Sequence, residues 1–391
     1  MKKAIYLDNH ATTQLDPKVL EAMMPYLTID YGNAASSHVF GLKAEQAIEK
    51  ARTQIATAIG AQANEIFFTA GATESNNLVI KGAFDHFRDK KPHIITSAIE
   101  HKCILEACKY VQERGGSVTF VAVNGDGLVD TDTIKKAIKP NTVLISIMHG
   151  NNEIGSINNI EAIGALCQKN NVLFHTDAAQ TLGKLPINVD DMYIDVMSAS
   201  AHKIYGPKGI GFVYIRRRAQ PLITPLLHGG GQELGMRSGT SNVAGIVGMS
   251  KALELAVEHI DENYEHYKTL RDRLYMRLTD ELDNIVLNGA DIADSAKRLP
   301  HNLNFVLQNV DLSVLKRRLR SIAFSSGSAC SSADLRPSYV LTAIGRSDIE
   351  AHSSMRFGIG RFTTPEDIDE AAGQIIAAVK KLAPVAVTVQ Q

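Results

Sequence analysis

The sequence predicts an α/β protein whose core is a mainly parallel sheet of seven strands. Seven short, apolar, β-branched runs fall between about residues 64 and 215, and most gaps between them carry helical signals. Strands that alternate with helices in this way form βαβ units, whose parallel sheets are covered on both faces. The chain also has the size to bury such a sheet, with 391 residues of which 45% are apolar.

The runs are 66–69, 93–97, 117–123, 143–148, 172–175, 194–197 and 211–215. Ahead of them, a helix is expected over 42–59, where Ala44, Ala47, Ile48, Ala51, Ile55, Ala58 and Ile59 form one stripe and Gly60 supplies the stop. After residue 215 the texture changes. A glycine-rich loop, HGGGQELGMRSGT, spans 228–240. One long helical stretch then runs toward residue 282 and reads as the connector to a smaller α+β unit. The last helix opens with Thr364 as N-cap, Pro365 at its first position and acidic residues in its first turn. The expected division is a large α/β domain over 16–258 and a small domain made of 1–15 and 259–391. Internal repeats and low-complexity tracts are absent from the sequence.

Composition narrows the function classes. Lys and Arg total 41 against 42 Asp and Glu, so the net charge is −1 and nothing in it favours nucleic acid or an anionic membrane. No apolar run reaches the ~20 residues of a membrane span. The start, MKKAIYLDNHATT, has no apolar h-region, so a cytoplasmic address is expected. The four cysteines, Cys103, Cys108, Cys167 and Cys330, show no CxxC pair and no zinc-site spacing. A disulfide framework and a metal hydrolase are both disfavoured.

Three segments carry candidate chemistry. In SASAHKIYGPKGIGF, 198–212, Lys203 follows a strand and enters a Gly/Pro loop. A lone lysine there is ordinarily a solvated side chain. Ser200 and His202 beside it suit a phosphate with a Schiff-base lysine next to it. In FHTDAAQTLGK, 174–184, Asp177 ends a strand and Gln180 lies three residues on. Asp177 reads either as a helix cap or as the carboxylate partner of a pyridinium nitrogen, which pyridoxal 5′-phosphate (PLP) requires. One helix-plus-strand unit separates it from Lys203, so both can reach the carboxyl edge of one sheet, where α/β proteins bind ligands. In FFTAGATESNNLVI, 67–80, a strand turns into a helix whose first N–H groups, at Ala72 and Thr73, could meet a phosphate.

Together with YLDNHATT at 6–13, EHKCIL at 100–105, NNEIG at 151–155, GGGQE and MRSGT within 229–240, SSGSACSSA at 325–333 and MRFGIGRFTT at 355–364, these segments resemble the cysteine desulfurases of the NifS/IscS type. That group belongs to the class V aminotransferases of PLP fold type I. The resemblance covers almost the whole chain. It implies PLP bound as an imine to Lys203, with the phosphate held by Ala72, Thr73, Ser200, Ala201 and His202 and completed by Thr240 of a partner subunit, hence a homodimer. It implies Asp177 at the ring nitrogen, Gln180 at the phenolic oxygen and His101 stacked on the ring, positioned for proton transfer. Asn33, Asn152 and Arg356 would receive the substrate carboxylate, with Asn152 also at the cofactor.

Cys330 lies among small polar residues in an expected exposed, mobile loop, as a carrier thiol requires. The implied reaction takes sulfur from L-cysteine, leaving L-alanine and a persulfide on Cys330. The persulfide passes to an acceptor such as an iron–sulfur scaffold or a tRNA-thiolation protein, and Cys330 is also a candidate transient iron–sulfur ligand shared with a scaffold. Cys103, Cys108 and Cys167 sit in helical apolar patterns and are expected to be packing residues. A selenocysteine lyase, a small-amino-acid aminotransferase of the same fold and a partner-dependent sulfur-delivery scaffold are the competing readings. Two features depart from the group's pattern: Ala34, where GNP is often read, and the short tail LAPVAVTVQQ, which leaves the acceptor open. The basic run LKRRLR, 315–320, is either a solvated helix face or a surface for an acidic acceptor.

Overall fold

A computed structural model describes residues 4–326 and 336–382. The strands are β1 (Ile5–Tyr6), β2 (Ile66–Thr69), β3 (His93–Ser97), β4 (Ser117–Val121), β5 (Thr142–Ser146), β6 (Leu173–Asp177), β7 (Val196–Ser200), β8 (Gly211–Ile215), β9 (Ile285–Leu287), β10 (Asn302–Leu307), β11 (Ile322–Ala323), β12 (Ser325–Ser326) and β13 (Ser354–Gly358). The helices are α1 (Pro17–Thr28), α2 (Val39–Ala58), α3 (Ala72–His86), α4 (Lys102–Glu113), α5 (Thr131–Ala137), α6 (Ile160–Lys169), α7 (Val243–Glu258), α8 (Ile260–Thr279), α9 (Leu312–Arg318), α10 (Tyr339–Ala343), α11 (Asp348–His352) and α12 (Pro365–Lys380).

All seven expected runs enter one sheet, in the order β2-β8-β7-β6-β5-β3-β4. Its neighbours from β7 to β4 are parallel, and β8 alone runs against both of its partners. The C-terminal ends of β2, β3, β6 and β7 therefore share one edge. Successive residues of these strands pack on opposite faces. Ile95, Ile145, Phe174 and Met197 join α2, α6 and α7 in one core cluster. Ile94, Leu144, Leu173 and Val196 join α3 and α4 in another. A third cluster lies between the antiparallel sheet β12-β13-β10-β9 and helices α8 and α12. The N-terminal strand β1 pairs in parallel with β11, and Asp8 bridges to Gly358 at the end of β13.

Local chemistry sets the helix ends. In α2 the stripe residues Ala44, Ala47, Ile48, Ala51 and Ile55 are buried, and Gly60 takes φ +72°, a left-handed stop that suits glycine. Thr364 caps α12 by accepting from the Asp367 amide, with Pro365 at the first position. The long stretch expected toward residue 282 is two helices, broken at His259 (φ −115°, ψ 28°). The break has a packing cause. Leu253 and Leu255 of α7 face the large sheet's cluster, whereas Leu270 and Leu274 of α8 face the small sheet's, so the chain turns between two cores. Cys108 and Cys167 are buried in core clusters, as expected. Lys316, Arg317, Arg318 and Arg320 are exposed while Leu312 and Leu315 are buried, so the basic run lies on the outer side of α9 and the turn after it. Among the described residues, no helix is long and apolar enough to cross a membrane.

Candidate active site

The shared strand edge opens into a cavity of about 860 Å³. Lys203, Asp177, His101, Thr73, Ser200 and Arg356 all line it. Each arrives from its own strand end or loop. Asp177 is the last residue of β6 and Ser200 the last of β7. Lys203 closes a short 3-10 turn directly after β7. His101 follows β3 and caps α4, and Arg356 reaches in from β13. Ala72, Asn152, Gln180 and His202 line the cavity as well, while Ala201 is wholly buried beside it.

Two expected residues are elsewhere in this single chain. The Asn33 side chain accepts from the Ala35 amide in an exposed turn, and Thr240 lines a separate small cleft with Arg237 and Glu233. Cys330 lies outside the described residues. Among the described residues, no group of His, Cys, Asp and Glu is arranged to hold a metal ion.

Hydrogen bonds fix the polar groups. The Lys203 ammonium donates to the carbonyls of His10 (2.6 Å) and Ala11 (2.7 Å). Asp177 accepts from the Ala179 amide at 2.9 Å and from Asn76 Nδ2 at 2.7 Å. Two residues below it on the same strand face, His175 bridges Ser146 (2.8 Å) and Ser198 (3.0 Å) across three strands. This buried ladder stiffens the strand that carries Asp177, and burial holds the His175 imidazole neutral, its pKa pushed down to about 3. Arg356 donates to the Asn152 carbonyl at 3.0 Å and to Asp8 at 2.9 Å, and its Nε is buried without a partner among the described residues.

Helix α3 opens on Gly71 (φ 151°) and has no side-chain cap, so its first N–H groups face the cavity unpaired by side chains. A Cβ on Gly211 of β8 would lie 2.6 Å from the Gly71 Cα, so glycine there lets β8 press against this turn.

The sequence reading missed several residues. Cys103, expected to pack like the other helical cysteines, stands on the cavity wall because α4 begins one residue before it. Its Sγ is 3.0 Å from His101 Nδ1 and 3.2 Å from Asn76 Nδ2. Burial, reinforced by Asp177, pushes this thiol up to about 12, so it stays protonated. His101 Nδ1 also accepts from the Cys103 amide, which leaves its proton on Nε2. Burial keeps His101 below its ordinary pKa, with Lys203 and Lys102 acting the same way and Asp177 opposing them. Asn76, Asp8 and His10 were missed because their partners lie 101, 348 and 170 residues away in the chain.

A cavity at the carboxyl edge of a mostly parallel sheet, with a lysine, a strand-end carboxylate and an open helix N-terminus around it, has the lining of an α/β enzyme site, and the open helix end suits an anionic group. The aminotransferase class-V family model matches residues 5–371, and the chain belongs to that family. It is 50% identical to the mitosomal cysteine desulfurase of Trachipleistophora hominis, over 97% of this chain and 86% of that protein. It is 47% identical to cysteine desulfurase IscS of Rickettsia prowazekii (strain Madrid E), over 97% of this chain and 92% of that protein. Among solved structures it superposes on a NifS-like protein with a TM-score of 0.89 at 37% identity, covering 97% of this chain and 100% of the other. It also superposes on SspA in complex with cysteine, with a TM-score of 0.82 at 40% identity, covering 92% of this chain and 100% of the other.

Proposed function

We propose that this chain is a PLP-dependent cysteine desulfurase, acting as a homodimer and passing sulfur from L-cysteine to an acceptor protein. The observation that carries it is the convergence of Lys203, Asp177 and the uncapped start of α3 on one cavity. The identity to named cysteine desulfurases over nearly the whole chain supports it.

The residues fit PLP. The N–H groups of Ala72 and Thr73 with the hydroxyls of Thr73 and Ser200 and the imidazole of His202 would hold the phosphate, Thr240 of a second copy completing the set. Asp177, Gln180, Asn152 and His101 would hold the ring, and Lys203 would carry it. Bound there, PLP supplies an electron sink for the substrate Cα.

The chain's own groups do the rest. Arg356, with Asn152, would grip the α-carboxylate of cysteine. Lys203 Nζ, acting as the neutral amine, would remove the α-proton. Asp177, anchored by two N–H donors, would pair with the ring nitrogen. His101, neutral with its proton on Nε2, serves the substrate thiol. Cys330 Sγ bonds to the substrate sulfur as the C–S bond breaks, leaving alanine and a Cys330 persulfide. An iron–sulfur scaffold or a tRNA-thiolation protein is the proposed acceptor, in the cytoplasm. The proposed division is a large domain over 16–258 and a small one over 1–15 and 259–391, and the two main core clusters support it.

The test is Cys330→Ser. The variant is expected to keep bound PLP and to bind cysteine, but to release no sulfide with a reductant present. Normal sulfide release overturns the carrier assignment. Keto-acid formation from alanine as the main activity overturns the desulfurase reading in favour of an aminotransferase.

A further inference from the structure

Behind the cavity, four buried side chains form an unbroken line of hydrogen bonds. Arg298 Nη1 donates to Asn302 Oδ1 at 3.2 Å. Asn302 Nδ2 is 3.0 Å from His10 Nε2 and 3.1 Å from the Glu153 carbonyl. His10 Nδ1 is 3.0 Å from Gln180 Oε1, and Gln180 Nε2 donates to the His10 carbonyl at 3.1 Å. Arg298 and Asn302 are 0% exposed, His10 1% and Gln180 4%.

The direction of every bond in this line is determined. A guanidinium can only donate and a carbonyl can only accept. Arg298 and the Glu153 carbonyl together fix the Asn302 amide with its NH₂ toward His10. His10 Nε2 must then accept, so Nδ1 carries the proton and donates to Gln180 Oε1. The His10 carbonyl holds Gln180 the same way round from the other side. One N–H of Gln180 remains, on a side chain that lines the cavity. His301 stacks on the His10 ring with centroids 4.4 Å apart and holds it in plane.

We propose that His10 is a positioning residue: as the Nδ1–H tautomer set by Arg298 and Asn302, it holds Gln180 so that an N–H, and never the amide oxygen, is presented to the phenolic oxygen of PLP. This rests on the reading of the cavity as a PLP site. Burial keeps His10 neutral, its pKa well below the usual value, with Arg356, Lys184 and Lys203 adding to the effect. Burial and Arg271 pull Arg298 down only to about 10, so it remains a pure donor at neutral pH. An N–H donated to the phenolic oxygen favours its ionised form and weakens that oxygen's hold on the neighbouring imine proton. The relay therefore lowers the pH at which the bound cofactor's visible band titrates.

The test uses the full-length, PLP-loaded protein. ¹⁵N NMR of histidine-labelled wild type is expected to show His10 protonated on Nδ1, and an Nε2–H signal overturns the relay. Asn302→Asp is isosteric but offers His10 only an acceptor, which reverses the tautomer and turns Gln180. Its visible band should titrate about one pH unit higher, the size expected for a lost hydrogen bond to a charged oxygen. His10→Leu should shift the same way, and His10→Asn, which keeps an N–H near the place of Nδ1, should restore the wild-type titration. A purely structural role would lower the melting temperature of these variants and leave the titration in place, which overturns the proposal. If the variants fail to fold, the wild-type tautomer decides it alone. Wild-type protein that takes up no PLP overturns the reading of the cavity itself. A normal band whose titration ignores Asn302→Asp overturns only the relay.

Discussion

At the front of the cavity, among the described residues, the first N–H groups of α3 meet no capping side chain and Arg356 Nε has no partner. Behind it, His10 has both ring nitrogens engaged and Lys184 is sealed from solvent, donating to the Gln180 carbonyl at 3.4 Å. Burial, with Lys203 and Arg361 nearby, pushes Lys184 down to about 7. The same residue types thus occur in two regimes. Open donors on a cavity wall await a ligand, whereas closed, directional bonds behind it hold the wall in place. Substitutions in front should remove chemistry and spare the fold, and perturbations behind should retune the wall they hold or act on stability.

The largest effect is expected for Lys203→Ala. It should lose the visible absorbance of bound PLP and at least ~10³-fold in sulfide production, with the melting temperature nearly unchanged. A variant that still turns over at wild-type rate breaks the comparison. Asp177→Asn comes next. It should keep PLP but lose ~10²–10³-fold in turnover, because the donors around residue 177 remain and the charge does not.

The third prediction concerns the buried histidines. Burial pushes His149 to about 4 and His175 to about 3. Their folded pKa values lie below the unfolded value, so the unfolded chain binds more protons between about pH 6.5 and 4. Stability is therefore complete above pH 6.5 and is lost as the pH falls, by roughly 3 kcal/mol for each histidine by pH 4.5. Urea midpoints measured from pH 7 to 4.5 should fall within this range, before most carboxylates titrate. A flat profile would mean that these imidazoles are not sealed. The smallest effect is expected for Cys103→Ala, which removes a thiol beside His101 Nδ1. It should raise the His101 pKa by a few tenths of a unit, read from the acid limb of the pH–rate profile, and leave PLP binding intact.

Much of this was legible in the sequence because it is local. The seven strand runs, the stripe of α2 with its Gly60 stop and the Thr364 cap are written within a few residues of where they act. Lys203, Asp177 and Thr73 were legible because each follows a strand on one sheet edge. The break at His259 was not, since the helical pattern runs through it and only the competition between two cores divides it. Cys103 looked like its neighbours Cys108 and Cys167 because periodicity shows which face a residue occupies, and not that the first turn of α4 opens on a cavity. The relay through His10, Asn302 and Gln180 joins three distant segments, and no spacing rule connects them.

The pairing of Arg356 with Asp8 also bears on turnover. Asp8 neutralises much of the guanidinium charge before any amino acid arrives, and one Nη1–H is already given to the Asn152 carbonyl. An incoming carboxylate meets a half-engaged cation and must share it. In the proposed role of Arg356, such a grip would orient its guest without retaining it, so alanine, bearing the same carboxylate as cysteine, should depart easily.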